Sequence, residues 1–501
     1  MPEHIKALIV ILVLSFFVFG FARAPALNWV ERVDYDRRRN LWLGLTTVAF
    51  LAHNFWLYAL SAILLLVLAG KQDNNRVAVF FLAMLVLPPI AVDIPGFGLI
   101  NILFSLNHVR LLTLAILLPM FMGLLHRTDI APIGRPLADK LLIAYLILVV
   151  LLQLRETTVT DTLRQAFYVF IDAFIPYIVI SRSLKELKHF REALSGFVLA
   201  ALVLAAICLF EAAKHWQLYR AVSSALGAPL DTLSIVERGG ILRAMGSTGH
   251  PIVAGYVMTV TLGFFLFLKN SLPNKQHQRF GLALISAGLV APLSRGPWVG
   301  AGLMLVTYLA TGPFALRRLA VLAFAGLMAI PLLSVLPGGE KVLNLLPFIG
   351  TVETNTIDYR AQLLDAAYKV MMRDPWFGSV DFALAPEMQA MIQGRGIIDI
   401  VNTYLLISLR SGFVGLGLFV GFFALIAWNL FRTLQKLADK NSELHLLGRS
   451  LFASLVAILA IIFTVSDISV IPTVYWSLAG LGVAYVAMIQ TNIDQEPGGN
   501  Q

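Results

Sequence analysis

Charge is what this chain has least of. Only 13% of its 501 residues are Asp, Glu, Lys or Arg, against 58% hydrophobic, and the mean hydropathy is +0.80. That composition excludes a soluble domain and implies an all-α, polytopic integral membrane protein. A β-barrel is excluded as well, because its strands would alternate apolar and polar residues where this chain runs apolar without a break. Cysteine is nearly missing. Cys208 is the one thiol and lies in an apolar run, so no disulfide closes within the chain, and neither thiol catalysis nor a cysteine zinc cluster is supported. There is no Gly-x-x-x-x-Gly-Lys-Ser/Thr phosphate loop, and no basic-side loop is large enough for a nucleotide-binding domain. The nine histidines lack His-Glu-x-x-His or comparable spacing, so no metal site is expected. One Asp-x-Asp occurs, Asp34-Tyr35-Asp36, but Arg37-Arg38-Arg39 follows it, and the stretch reads as an exposed mixed-charge loop. With no cofactor implied, any reaction must use a substrate that is already activated. The net charge of +9 is spread over short loops, where it sets membrane orientation and not nucleic-acid binding.

What is there is a series of apolar segments of about 20 residues. They fall near 5–22, 41–70, 77–93, 109–125, 139–155, 166–182, 193–213, 251–268, 319–336, 401–431, 450–466 and 470–490, which with a helical hairpin at 281–312 gives about 12–15 transmembrane helices. The first resembles a signal peptide in length, but it lacks a basic leader beyond Lys6 and is read as a first span. The run 41–70 is too long for one helix, and His53-Asn54 at its middle marks a tight hairpin between two short ones. Basic short loops at 126–140, 183–191, 269–279, 317–318 and 432–449 place those turns in the cytoplasm. By alternation, the long polar loops 214–250 and 337–400 share the opposite face. The chain thus divides into N-terminal membrane helices (1–240), a core (241–431), C-terminal membrane helices (432–490) and a disordered cytoplasmic tail (491–501).

Residues 281–312 carry basic residues at both ends and turn at Ser294-Arg295-Gly296-Pro297. Each arm is about 14 residues, or ~21 Å of helix, too short for a ~30 Å hydrocarbon core. A re-entrant hairpin follows, with Arg295 below the membrane surface against a polar cavity. Two tilted helices with a snorkelling Arg295 are the plainer alternative.

Charge concentrates in the 337–400 loop, which offers Glu340, Glu353, Asp358, Arg360, Asp365, Arg373, Asp374, Asp381, Glu387, Arg395 and Asp399. Arg243, Arg295, Arg360 and Arg395 all fall on or near one face. Guanidinium forks suit phosphate oxygens, and a low-dielectric cavity strengthens that attraction. Each arginine could instead pair with a loop carboxylate such as Asp358 or Asp399. Asp172 and Asp467 lie within or at the end of apolar runs, and intramembrane carboxylates can mark a proton or ion path. Gly412, Gly415, Gly417 and Gly421 read as close-packing positions between helices.

Three pieces of the chain resemble the bacterial O-antigen ligase and polymerase family, the Wzy-type polymerases included. Arg360-x-x-x-Leu364 resembles the Arg-x-x-x-Leu of that family's large periplasmic loop. Val401-Asn402-Thr403-Tyr404-Leu405 with Gly412 and Gly415 resembles its His-Asn-x-x-Leu followed by Gly-x-x-Gly. Gly246-Ser247-Thr248-Gly249-His250-Pro251 and Ser294-Arg295-Gly296 resemble two further motifs. The resemblance covers about residues 240–420. It departs from the family at Val401, which stands where the ligases carry a histidine thought to activate the acceptor, and valine does no acid–base work.

The resemblance implies a GT-C-like fold with one large periplasmic loop in the bacterial inner membrane. It implies a metal-independent, inverting glycosyltransferase that needs no cofactor and uses an undecaprenyl diphosphate-linked glycan as donor and acceptor. The missing histidine points to an exopolysaccharide or O-antigen polymerase, with a ligase to lipid A core as the alternative. Arg295, Arg360, Arg243 and Arg395 are then the diphosphate-binding residues. Asp399 or His250 activates the acceptor hydroxyl, although Asp399 could equally cap a helix or pair with Arg395, and His250 could simply begin a helix. A chain-length regulator and a flippase are the implied protein partners. A transporter of lipid-linked sugars is the rival of another class, kept open by Asp172.

Overall fold

The computed structural model describes residues 1–98, 100–226, 236–335, 344, 354–393 and 396–495. Among these, nine helices are long and apolar enough to cross a membrane, and the only strands form two small antiparallel hairpins. The expected all-α polytopic architecture is the observed one.

The chain opens with α1 (Glu3–Ala26), α2 (Arg32–Leu51) and α3 (Phe55–Gln72). The break between α2 and α3 falls where His53-Asn54 predicts it. His53 takes a left-handed φ of 49°, and the Asn54 side chain accepts the amides of Trp56 and Leu57 at 2.9 and 3.2 Å, capping α3. The Asp34–Arg39 stretch is not the exposed loop expected. It is the first turns of α2, where Arg38 is 1% exposed and makes a two-pronged ion pair with Asp73 at 2.8 and 2.9 Å. Asp34 accepts from Arg37 and Asn74. The cluster folds inward because buried charges tolerate burial only when paired.

A second expectation fails at 77–93, which is not a span. It is the nine-residue helix α4 (Arg76–Met84), every residue of which from Val77 to Met84 is at most 2% exposed. Pro88 and Pro89, which lack amide donors, then prevent its continuation. The chain turns into β1 (Ala91–Pro95), paired with β2 (Ile102–Asn107). Full burial inside the protein imitates a span in hydropathy.

The middle of the molecule contains α5 (His108–Leu124), α6 (Leu137–Glu156), α7 (Val159–Ser183) and α8 (Leu187–Lys214). Helices α5 and α7 each contain one π-helical turn, at 113–117 and 170–174. Such turns re-aim side chains and recur at functional sites. Against α8, Gly196 lets the carbonyl of Ala78 come so near that a Cβ would lie 2.4 Å from it.

After β3 (Glu237–Arg238) and β4 (Ile241–Leu242) come α9 (Pro251–Leu268), α10 (Lys275–Val290), α11 (Arg295–Ala310) and α12 (Ala315–Val335). Helices α10 and α11 are the arms of the 281–312 hairpin. Each has 16 residues, about 24 Å, and they meet at a turn where Leu293 adopts φ 49°. The remaining helices are α13 (Thr354–Met371), α14 (Thr403–Lys436), α15 (Glu443–Ile461) and α16 (Ile471–Gln495). The last reaches Gln495, so of the expected tail only 496–501 follow it, and they lie outside the described residues.

Helix α14 is broken at Gly412, whose φ of 61° and ψ of −166° are not helical. The Asp374–Gly378 stretch docks into that break. Phe413 and Val414 amides donate to the carbonyls of Pro375 and Trp376 at 2.8 and 3.1 Å, and Ser379 donates to Leu409 at 2.8 Å. A Cβ on Gly412 would sit 2.2 Å from the Trp376 backbone. This glycine therefore joins the large loop to α14. Gly415 packs on Ser411 of its own helix, and Gly417 and Gly421 meet nothing within 4 Å, so the close-packing role expected of the latter two is not theirs.

Candidate active site

A cavity of about 1050 Å³ opens between the 236–250 segment, α13, the start of α14 and the 465–473 turn, with α5 and α7 closing its far side. Arg243, His250, Arg360, Asp399 and Val401, five positions singled out from sequence, line it together. Arg295 does not line it. Its guanidinium donates to the Asn344 carbonyl at 3.2 Å. Arg395 lies outside the described residues.

The loop side is built from backbone outward. Asn402 caps α14 by accepting the Leu405 amide at 3.1 Å, so the capping role considered for Asp399 belongs to Asn402. The segment before α14 is stitched to the 462–466 turn by Thr403, whose amide donates to the Ile462 carbonyl at 2.9 Å and whose hydroxyl donates to the Val465 carbonyl at 3.0 Å. That leaves the Asp399 carboxylate facing the cavity, accepting from the Ser466 hydroxyl at 2.9 Å. Tyr359 on α13 donates to the Asp399 carbonyl at 3.2 Å, which brings the neighbouring Arg360 to the same wall. Arg360 also donates to the Thr464 carbonyl at 3.4 Å. It is open to the cavity yet surrounded by protein. Desolvation lowers its pKa from the ordinary value, Asp399 opposes that, and the nearby positive charge of Arg238 adds to the lowering. Arg238 and Arg360 line the same cavity, and two like charges held near one another favour an anion beside them.

Arg238 and Arg243 also explain the position of the helical hairpin. Arg238 donates to the Leu293 carbonyl at 2.5 Å, and Arg243 donates to the Pro292 carbonyl and the Ser294 hydroxyl at 3.1 and 3.0 Å. Both arginines grip the α10–α11 turn. The segment is fixed from behind by Glu211 on α8, fully buried, whose carboxylate accepts the amides of Leu218, Met245 and Gly246 at 2.9, 3.0 and 2.9 Å. His250 caps α9, its Nδ1 accepting the Ile252 amide at 3.2 Å. A neutral ring bonded this way carries its proton on Nε2, which is then a donor.

The opposite side comes from helices and was not assembled from sequence. Arg110 on α5 forks onto Asp172 on α7 at 2.7–3.1 Å, donates to the Ser105 carbonyl at 2.5 Å and lies 3.5 Å above the Tyr168 ring. Arg410, two residues before the α14 break, makes no hydrogen bond or ion pair with a described residue and faces Asp467 electrostatically. Asp467 accepts from the Tyr475 hydroxyl at 3.1 Å. Sequence offered Asp172 and Asp467 of this wall, noted within or at the end of apolar runs, and the further signal was an arginine in each of two apolar helices.

Helices of this length and apolarity around a polar, arginine-bearing cavity define a multi-pass membrane protein with an enclosed site for a polar ligand. Residues 280–420, from α10 through the Gly412 break, match the family model described as Wzy_C, O-Antigen ligase. That match supports the O-antigen ligase/polymerase family, whose members are glycosyltransferase-like enzymes of polysaccharide assembly, over this part of the chain. No curated protein matches the chain.

Proposed function

We propose that this protein is a polymerase of the inner membrane that joins undecaprenyl diphosphate-linked repeat units on the periplasmic face, by inverting glycosyl transfer. The observation that carries the reading is Arg360 standing with Asp399 on the loop wall of the cavity, with Arg238 adding a second guanidinium charge. A diphosphate seated there answers the repulsion between the two arginines. The acceptor hydroxyl attacks the anomeric carbon from the face opposite the diphosphate. The bond from that carbon to the diphosphate oxygen breaks, and its electron pair leaves with the diphosphate. The arginines stabilise that developing charge as an oxyanion site does. Asp399 takes the hydroxyl proton, and His250, as a donor, orients the glycan. The positive charge comes from side chains, so the step as proposed uses no metal ion.

Val401 favours polymerase over ligase, because the position offers no acid–base group. The printed description of the matched family favours the ligase reading. The glycan profile of a deletion strain separates the two. Loss of all polymer beyond one repeat supports the polymerase, whereas full-length polymer accumulating on carrier lipid supports the ligase. For the site itself, Arg360→Ala abolishes polymer while the protein still accumulates in membranes, and normal polymer length in that strain overturns the assignment.

A further inference from the structure

We propose that α13 lies along the membrane surface, with an exposed apolar face resting in the leaflet on the loop side, so that the helix carrying Arg360 is held at the depth of lipid phosphates. The surface rests on the packing of α13 and on no assignment of activity.

At about 100° per residue, α13 presents three faces. Leu363, Ala366, Ala367 and Val370 form the first, which is buried against the rest of the loop among Phe382, Met388 and Ile400. Beside it stand Leu364, Tyr368 and Met372, spaced i, i+4, i+8 and 57, 53 and 46% exposed. Met372 belongs to the same run because its amide still donates to the Tyr368 carbonyl at 3.0 Å. The third face is polar and exposed, made by Gln362, Asp365, Lys369 and Arg373. A surface helix of a globular protein needs one apolar face, for the core. The second apolar face of α13 is left uncovered by the described residues.

Both ends of the helix are tied to the ends of membrane-spanning helices. At its start, Arg360 donates to the carbonyl of Thr464, three residues past the end of α15 at Ile461. Beyond its far end, the Ser379 hydroxyl and the Asp381 amide each donate at 2.9 Å to Glu156, the last residue of α6. Helix α6 has 20 residues and α15 has 19, about 30 Å each, which is the thickness of the hydrocarbon core. A helix pinned at both ends to the edge of that core runs along it and not away from it.

The occupant follows from what adjoins the uncovered face. Trp376 and Phe377 continue it beyond Met372 and are exposed, and so are Leu154 near the end of α6 and Phe413 just past the Gly412 break. Leu154 belongs to a span and faces lipid, and aromatic rings gather at the membrane–water boundary. The polar face lies about 100° around the helix from the apolar one, where it meets headgroups and water as in other interfacial helices. Arg360 precedes Leu364 by one turn and lines the cavity. Its guanidinium is thereby set where the phosphate of a lipid-borne ligand lies.

The test uses the purified full-length chain in lipid nanodiscs. Cys208 is its one cysteine and is buried, so a thiol-reactive fluorophore labels Tyr368→Cys and Lys369→Cys selectively. The two positions are adjacent in sequence but belong to different faces. Lipids bearing a nitroxide high on the acyl chain quench the label at 368 about threefold or more strongly than the label at 369. Aqueous iodide gives the reverse order, because an ion does not enter the apolar layer. Equal lipid quenching at the two positions, or stronger quenching at 369, overturns the proposal. A label at 368 that neither lipid nor iodide reaches also overturns it, and energy transfer between labelled chains in proteoliposomes then assigns the face to a second copy. Leu364→Cys and Gln362→Cys repeat the comparison one turn earlier, should a label at 368 unfold the helix.

Discussion

The two walls of the cavity are made by different parts of the chain and hold their charges differently. The loop wall comes from polar segments close to recognisable motifs, and its arginines are fixed by backbone carbonyls, at Leu293, Pro292 and Thr464. A backbone carbonyl fixes the direction in which a guanidinium points. The helical wall comes from four apolar helices or their ends, and there Arg110 is matched by a carboxylate at 2.7 Å. An arginine among membrane helices needs such a partner or a polar cavity to face, and Arg110 has the first and Arg410 the second. Backbone therefore holds the arginines on the loop side, while a carboxylate holds Arg110 among the helices.

The comparison breaks most visibly at Arg360. Arg360→Ala removes the guanidinium that α13 brings to the loop wall beside Asp399, and turnover falls by about 100-fold or more, as when an oxyanion donor is deleted. Measured on the purified chain in lipid nanodiscs with the lipid-linked repeat as donor, the effect lies in kcat/KM for the donor. A loss of only a few-fold would mean that the loop wall is not where leaving-group charge develops.

The next effect belongs to the helical wall. Asp172→Asn leaves Arg110 with a neutral partner in a nearly closed site, where its side chain is 11% exposed. A double-mutant cycle with Arg110→Met, read by thermal unfolding in nanodiscs, gives a coupling of about 1–3 kcal/mol. Coupling near zero would show that the pair is not holding the wall together, and that the balance of charge there is incidental.

Sequence shows one wall far better than the other, for physical reasons. Arg360, Asp399, His250 and Val401 sit in short motifs, and a concentration of charge in an apolar chain is conspicuous. Arg110, Arg410 and Asp467 are single polar residues, 57 to 357 positions apart, brought together only by helix packing. The same limit produced the error at 77–93, because a helix wholly buried in protein and one buried in lipid are equally apolar. Asp34–Arg39 failed in the opposite sense, since charge suggested exposure while Asp73, more than 30 residues on, supplied a buried partner. The break at His53-Asn54 was legible because its cause, an Asn cap after a left-handed residue, is local.

A smaller effect tests how far the loop wall depends on support from behind. Glu211 accepts three amides with two carboxylate oxygens, and glutamine has only one oxygen to offer them. Glu211→Gln therefore loosens the turn after Arg243 without touching substrate. Donor KM rises by about 3–10-fold, and Glu211→Asp restores part of the loss. An unchanged donor KM would mean that the loop wall keeps its place without Glu211.

The smallest effect is on stability and concerns Asp467. Desolvation pushes its pKa from the ordinary 3.8 up to about 6, and the nearby negative charge of Asp172 adds to this, while the Tyr475 hydroxyl and the charge of Arg410 oppose it. A raised folded-state pKa means that between about pH 4 and 6 the folded protein binds more protons at this site than the unfolded chain. Stability from this group is accordingly greatest in acid and falls as pH rises through that window. Asp467→Asn carries no charge to desolvate. It melts with the wild type near pH 4 and above it at pH 7. The carboxylate faces an open cavity where water screens it, so the gain is only about 1–2 °C. Melting curves of both proteins from pH 4 to 7.5 read it directly. If the variant melts lower at pH 7, Asp467 is held as the fixed counter-ion of Arg410, and both arginines of the helical wall are matched by carboxylates. If it melts higher while turnover falls, the carboxylate is kept at a cost in stability because the reaction needs it there.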